Sequence, residues 1–223
     1  MAGAARGLFV TGTGTEVGKT VVAAAIARTH AARGERVAVF KPAESGLEEL
    51  TDPAQADHEL LRRAADSRQA DYAVAPYRYG PALSPHLAAE LGGEAIEPAR
   101  LRAAAAGAAD DADLLVCEGV GGLLVPLTPG YLVRDLAREL GYPLVIAAAT
   151  GLGTINHALL TLEAARAVGL EVAAVVLTPW PSQPSELERS NRETIERLGA
   201  VRVETLAELD LSDLGSWPAL ELG

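Results

Sequence analysis

Five apolar runs punctuate the chain: "LFVT" at Leu8–Thr11, "RVAVFK" at Arg36–Lys41, "DLLVCE" at Asp113–Glu118, "PLVIAAAT" at Pro143–Thr150 and "EVAAVVLT" at Glu171–Thr178. Each is continuous rather than alternating, the pattern of strands buried on both faces of a parallel sheet. Helical stretches separate them. Gly18 to Arg33 is alanine-rich and closes on Gly34, Asn156 to Val168 closes on Gly169, and Glu186 to Leu198 closes on Gly199. A glycine just past a helix supplies the left-handed turn that ends it. Ser185 followed by Glu188 has capping-box spacing for the last of these. Between residues 44 and 110 the pattern is weaker. It predicts a short helix near Asp57–Ala65, a loop through "PYRYGPALSPH" and an alanine-rich helix near Ala99–Ala109. Strand–helix alternation with short connections predicts right-handed βαβ units. The expected fold is α/β, a doubly wound, mostly parallel sheet with helices on both faces, built as one domain over residues 1–223.

Each strand runs into a polar or glycine-rich segment. "TGTGTEVGKT" comes after the first run, "KPAESG" after the second, "CEGVGG" after the third, "TGLGTINH" after the fourth and "TPWPSQP" after the fifth. Open parallel sheets bind ligands beyond the carboxyl ends of their strands, so five loops converge on one edge.

Composition narrows the chemistry. A formal net charge of -11 repels phosphate backbones and argues against nucleic acid as a partner. One cysteine, Cys117, leaves no disulfide framework or thiolate metal site, and it falls inside a buried run where core packing is the ordinary role. No apolar stretch is long enough for a membrane span, and "MAGAARG" lacks the apolar region of a signal peptide. The expectation is a cytoplasmic protein without a membrane partner. His30 and His58 read as helix-surface residues, and Trp180 reads equally as a base-flanking or a loop-packing ring.

The first loop carries the most chemistry. Gly18-Lys19-Thr20 opens a helix, but the first glycine of the usual G-x-x-x-x-G-K-[ST] spacing is Thr13, flanked by Gly12 and Gly14. Such a loop makes an anion nest of backbone N–H groups at a helix N-terminus, with Lys19 for the β/γ-phosphates and Thr20 for Mg²⁺. Glu118 ends a buried run and suits a hard cation. Asp57 is an equal match for metal ligand or helix cap, and Asp52 competes with it. Lys41 points a fixed cation at the same edge, where charge builds on a transferring phosphoryl group. Ser45 is a hydrogen-bond donor or a turn residue.

Together, "TGTGTEVGKT" (Thr11–Thr20), "KPAESG" (Lys41–Gly46), "PYRYGPALSPHLAA" (Pro76–Ala89), "CEGVGGLLVPL" (Cys117–Leu127) and "LGTINHALLTLEA" (Leu152–Ala164) make a chain that resembles the dethiobiotin synthetases over residues 8 to about 200. The resemblance implies a P-loop NTPase-like fold, a homodimer, and closure of a ureido ring on 7,8-diaminopelargonate with CO₂, ATP and Mg²⁺. It implies that Lys19 and Lys41 clamp phosphates and carbamate, and that Thr20, Asp57 and Glu118 serve the metal. By the same resemblance Glu16, Val17, Gly18, Val21 and the backbone of Gly119, Val120 and Gly121 lie along the nucleotide. Thr178, Pro179, Leu206, Ala207 and Glu208 fall at the base. Thr15, Ser45, Gly153, Thr154, Asn156 and Asn191 fall at the diamine, the α-helix after Gly153 coming from the partner subunit. The competing reading is a ParA/MinD-like switch ATPase. Its loops carry a second lysine where this chain has Gly14.

One departure has a consequence for specificity. The family usually ends its fifth strand in an asparagine that reads adenine, whereas Thr178 and Pro179 offer no side-chain amide, and proline has no N–H. Relaxed base preference is therefore expected. Steady-state kcat/KM for ATP, CTP, GTP and UTP should lie within ~100-fold, equivalent to ~2.7 kcal/mol; a larger preference for ATP would contradict it.

Overall fold

The computed structural model of the chain describes residues 6–222. Six strands form one parallel sheet: β1 (Arg6–Gly12), β2 (Val37–Phe40), β3 (Leu114–Gly122), β6 (Leu144–Ala148), β7 (Val172–Leu177) and β8 (Val203–Thr205), in the order β2-β3-β1-β6-β7-β8. A separate antiparallel ribbon pairs β4 (Pro126–Thr128) with β5 (Tyr131–Leu132).

Strand side chains divide by a period of two. Leu8, Val10, Val37, Val39, Leu114, Val116, Val145 and Val176 face α1 (Lys19–Ala31) and α2 (Asp57–Ala64) in one core layer. Phe9, Phe40, Leu115, Cys117 and Leu144 face the other way. They pack with residues of α4 (Pro85–Gly92), α5 (Pro98–Ala109) and α6 (Val133–Leu140). Ile146, Ala148, Val175 and Leu177 continue that second face under α7 (Thr154–Arg166) and α8 (Glu186–Gly199). The short α3 (Asp71–Val74) completes the helices. Small side chains on α1, Ala23 to Ala25 and Ala27 among them, let that helix lie close on the sheet.

The five apolar runs are all strands. β3 runs four residues beyond its predicted end, because Gly122 still pairs with Gly12 after a register shift between Val10 and Gly12. β4, β5, β8, α3, α4 and α6 have no counterpart in the sequence pattern. β8 is only three residues long, the β4–β5 ribbon is shorter still on one side, and α6 follows it directly. The loop expected through Pro76–His86 ends early, because α4 begins at Pro85, a favoured first helical position.

Two histidines also differ from expectation. His30 and His58 are buried, not on the helix surface. Segment 206–222 folds back over α1: Leu206, Leu220 and Leu222 join its core layer, the Leu220 N–H donates to Thr29 Oγ1 at 2.9 Å, and Arg28 Nε donates to the Leu214 carbonyl. That cover encloses His30, whose Nδ1 meets Glu35 Oε1 at 2.9 Å. His58 belongs to α2, and its buried ring meets Glu44 Oε2 at 2.6 Å through Nδ1.

Candidate active site

The loop after β1 is drawn onto the sheet edge by its own backbone, Thr13 N–H donating to the Ala147 carbonyl at 3.0 Å. Gly12 is obligatory here, since a Cβ would lie 2.7 Å from Val17 Cγ2 and 2.9 Å from the Gly14 carbonyl oxygen. Gly18 starts α1 at φ 84°, a left-handed conformation that favours glycine. No side chain caps α1, so its first N–H groups face open space with the positive end of the helix dipole behind them. Lys19 folds back and donates from Nζ to the Gly14 carbonyl at 2.8 Å. Burial lowers its pKa, and repulsion from Lys41 adds to that against the attraction of Glu118 and Asp57.

The centre of the site is a charge cluster. Lys41, just beyond β2, places Nζ 2.7 Å from Asp57 Oδ2 and 2.8 Å from Glu118 Oε1. Burial opposes the ammonium charge, but the two carboxylates outweigh it and raise the Lys41 pKa. Burial would likewise raise Asp57, yet Lys41 and the Thr20 hydroxyl hold it below its ordinary value. Glu118 has no such surplus of donors. It is fully buried in β3, and desolvation pushes its carboxyl up to about 7 against the pull of Lys41.

Thr20 Oγ1 lies 3.0 Å from Asp57 Oδ1 and 2.9 Å from Glu118 Oε1. A hydroxyl has one proton, so it cannot satisfy two carboxylates at once. Glu118 Oε2 is buried without any hydrogen-bond partner. Three converging oxygen ligands with too few protons between them fit a hard divalent cation. Asp52 is excluded from this cluster: its carboxylate accepts from the Ala54 N–H, capping a 3₁₀ turn on the surface.

A cavity of about 450 Å³ opens over the cluster. It collects Thr15, Glu16, Gly18, Lys19, Thr20, Val21, Lys41, Ser45, Asp57, Glu118, Val120 and Gly121 from residues named by sequence. Val17 instead lines a neighbouring cavity of about 230 Å³, reached by Thr15, Thr154 and His157 at the N-terminus of α7. Gly119 is a packing residue, because a Cβ there would press to 3.0 Å on Phe9 and 3.1 Å on Val133. Ser45 Oγ donates to the Leu83 carbonyl. Asn191 is buried, and its Nδ2 donates to the carbonyls of Thr150 and Gly151, fixing the loop that leads into Gly153 and α7. Asn156 lies exposed on the first turn of that helix. Thr178 leans on the first loop, its Cγ2 2.5 Å from where a Gly18 Cβ would lie. Leu206 pairs by backbone with Leu177 and Trp180, which brings the start of segment 206–208 beside Pro179, outside the lining of both cavities. Trp180 packs against the core layer under α7 and α8.

A family model described as an AAA domain matches residues 6–218. The ATP-dependent dethiobiotin synthetase of Anaeromyxobacter dehalogenans is 46% identical over 77% of this chain and 76% of its own. That of an Anaeromyxobacter species is 42% identical over 86% and 89% of the two chains, and that of Bacillus subtilis 33% identical over 89% and 85%. The chain belongs to the dethiobiotin synthetase family. A ParA family ATPase from Chlorobium tepidum shares the fold, with a TM-score of 0.55 at 14% identity over 92% of this chain and 85% of that one.

Within this dethiobiotin synthetase site, sequence reasoning missed Ala43, Glu44, Gln55, Leu60 and Leu211, all of which line the main cavity. Leu211 comes from the returning C-terminal segment, and no local pattern announces it. Glu44 sits inside "KPAESG", where only Lys41 and Ser45 carry a sequence signal.

The raised Glu118 pKa has a testable consequence. The native chain holds this proton more tightly than the unfolded one. The stability it contributes is complete below the ordinary value near 4.5 and fades as pH climbs to about 7. Glu118→Gln lacks that dependence. In the absence of metal, raising pH from about 5 to about 7.5 should lower the wild-type Tm relative to Glu118→Gln by ~3 °C or more. Parallel Tm curves would contradict a raised Glu118.

Proposed function

We propose that the chain is a ligase that closes the ureido ring of dethiobiotin from 7,8-diaminopelargonate, CO₂ and ATP, releasing ADP and phosphate. Support comes from its family and from one observation above all: Lys41, Asp57, Glu118 and Thr20 meet at one point beside a phosphate-binding loop. CO₂ adds to one substrate amine as a carbamate, the carbamate oxygen takes the γ-phosphoryl group of ATP, and the second amine displaces phosphate to close the ring. No covalent protein nucleophile is needed. Cys117, the only cysteine, is buried in β3 with its thiol pKa pushed up by burial, which suits a packing role.

The protein's part is positioning and charge. The free N–H groups of α1 and the loop from Glu16 to Val21 hold the phosphates, with Lys19 released from Gly14 to follow them. Lys41 neutralises charge that builds on the carbamate and the transferring group. Thr20, Asp57 and Glu118 would hold Mg²⁺, which would supply positive charge to neutralise the phosphate oxygens. Thr15 and Ser45 face the diamine. A cytoplasmic location fits this chemistry.

The second copy of the chain enters through α7. Leu152, in the turn just before that helix, is 92% exposed, and Leu160, on the helix, is 55% exposed. Thr154 Oγ1 is buried at its N-terminus without a partner, beside the 230 Å³ cavity. A homodimer that covers the leucines and presents Gly153, Thr154 and Asn156 to the carboxylate of the neighbour's substrate accounts for both.

Phosphate release tests the reaction. It should require ATP, diaminopelargonate and bicarbonate together; turnover with ATP alone, stimulated by a protein or by DNA, would instead indicate a ParA-like switch. Leu152→Glu tests the assembly. Sedimentation should show a monomer with diaminopelargonate KM raised at least ~10-fold, and an unchanged dimer with unchanged KM would remove α7 from the interface.

A further inference from the structure

Glu44 stands in the wall of the main cavity, yet its carboxylate bonds to none of the charged side chains of the cluster beside it. The residue is 4% exposed, and both of its oxygens are taken up by α2. Oε1 accepts from the Asp57 N–H at 2.6 Å. Oε2 accepts from the His58 N–H at 3.4 Å and lies 2.6 Å from His58 Nδ1. An ionised carboxylate only accepts, so Nδ1 carries the proton.

α2 needs this partner. Its N-cap is Ala56, which has no side chain able to cap; the Glu59 N–H donates to the Ala56 carbonyl, but those of Asp57 and His58 lack a local acceptor. Glu44 supplies an acceptor and a negative charge at the positive end of the helix from 13 residues away. Glu44 is itself pinned at the backbone. Its N–H donates to the Tyr77 carbonyl at 2.9 Å, and its carbonyl accepts from the Tyr79 N–H at 2.8 Å.

The two ends of this bridge carry the site. Lys41 and Ser45 flank Glu44 on one side, and Asp57 opens α2 on the other. Asp57 must hold 2.7 Å to Lys41 Nζ and 3.0 Å to Thr20 Oγ1 at once. We propose that Glu44 is a positioning residue that locks the N-terminus of α2 to the Lys41–Ser45 loop, and so holds Asp57 in register with Lys41 and Thr20. This extends the assignment of Asp57 as a Mg²⁺ ligand and rests on it, while the lock itself is a property of the protein without metal.

The test reads both. Hydrogen exchange on the metal-free protein reports the lock at residues 57–64. Electron paramagnetic resonance of Mn²⁺ with a non-hydrolysable ATP analogue reports the ligand. In Glu44→Ala, exchange at the start of α2 should accelerate about tenfold while α7 and α8 stay unchanged, and Mn²⁺ affinity should fall about tenfold or more, the usual effect of removing a partner that orients a ligand. Glu44→Gln should fall between wild type and Glu44→Ala on both readouts, because its amide oxygen still accepts from the Asp57 N–H and its NH₂ can donate to the other His58 tautomer, while the bond from the His58 N–H and the negative charge are lost. If alanine prevents folding, Glu44→Asp decides the matter. One methylene shorter, it should show the same two defects at about threefold or more. Wild-type exchange in a folded alanine or aspartate variant overturns the proposal. Faster exchange with undiminished Mn²⁺ affinity overturns it too, leaving Glu44 a helix cap without influence on Asp57. Absence of Mn²⁺ binding in the wild type removes the metal assignment and the Asp57 role built on it, and exchange alone then reports whether the lock exists.

Discussion

Everything at the site depends on Lys41 being held between Asp57 and Glu118. A charge cluster this deep in the protein is a poor source of stability. Desolvation offsets much of the Coulomb gain, and well-packed apolar side chains often do as well. Losing one member is another matter, costing on the order of 3–5 kcal/mol because a buried charge is then stranded. The cluster therefore constrains the fold without contributing much to it. It requires β2, β3, the first turn of α1 and the first turn of α2 to arrive at one point within hydrogen-bonding distance.

The sheet order makes that possible. β1 lies between β3 and β6, and β3 between β1 and β2, so the carboxyl ends of the three strands that carry the loop, Glu118 and Lys41 are adjacent. Parallel pairing puts all three at the same edge. The fourth component, Asp57, comes from a helix rather than a strand end and has no ladder to place it. Its position depends on α2 packing against α1 and on the bridge from Glu44. The raised Glu118, the unpartnered Oε2 and the doubly engaged Thr20 hydroxyl then belong together as the signature of a site short of positive charge.

Much of this was legible in the sequence because local pattern and local chemistry coincide there. The five long strands announce themselves as continuous apolar runs, and Lys19, Thr20, Lys41 and Glu118 each follow or end one of them. What was not legible depends on contacts distant along the chain. Asp52 and Asp57 have similar spacing, and only the fold shows one capping a surface turn and the other meeting Lys41. Nothing local marks His30 and His58 for burial; the C-terminal segment covers His30, and Glu44 meets the ring of His58. β8 has too few residues to carry a periodic signal, and the cap of α2 stands 13 residues upstream, beyond any capping motif.

On the function proposed, Thr20, Asp57 and Glu118 would hold a cation that arrives with the nucleotide. Isothermal titration of Mg²⁺ into the protein saturated with a non-hydrolysable ATP analogue tests it directly. The wild type should bind about one ion per chain, as expected for a single P-loop site, and the folded double variant Asp57→Asn, Glu118→Gln should lose that binding. Retention of wild-type affinity in the double variant would mean that Asp57 and Glu118 do not hold the cation.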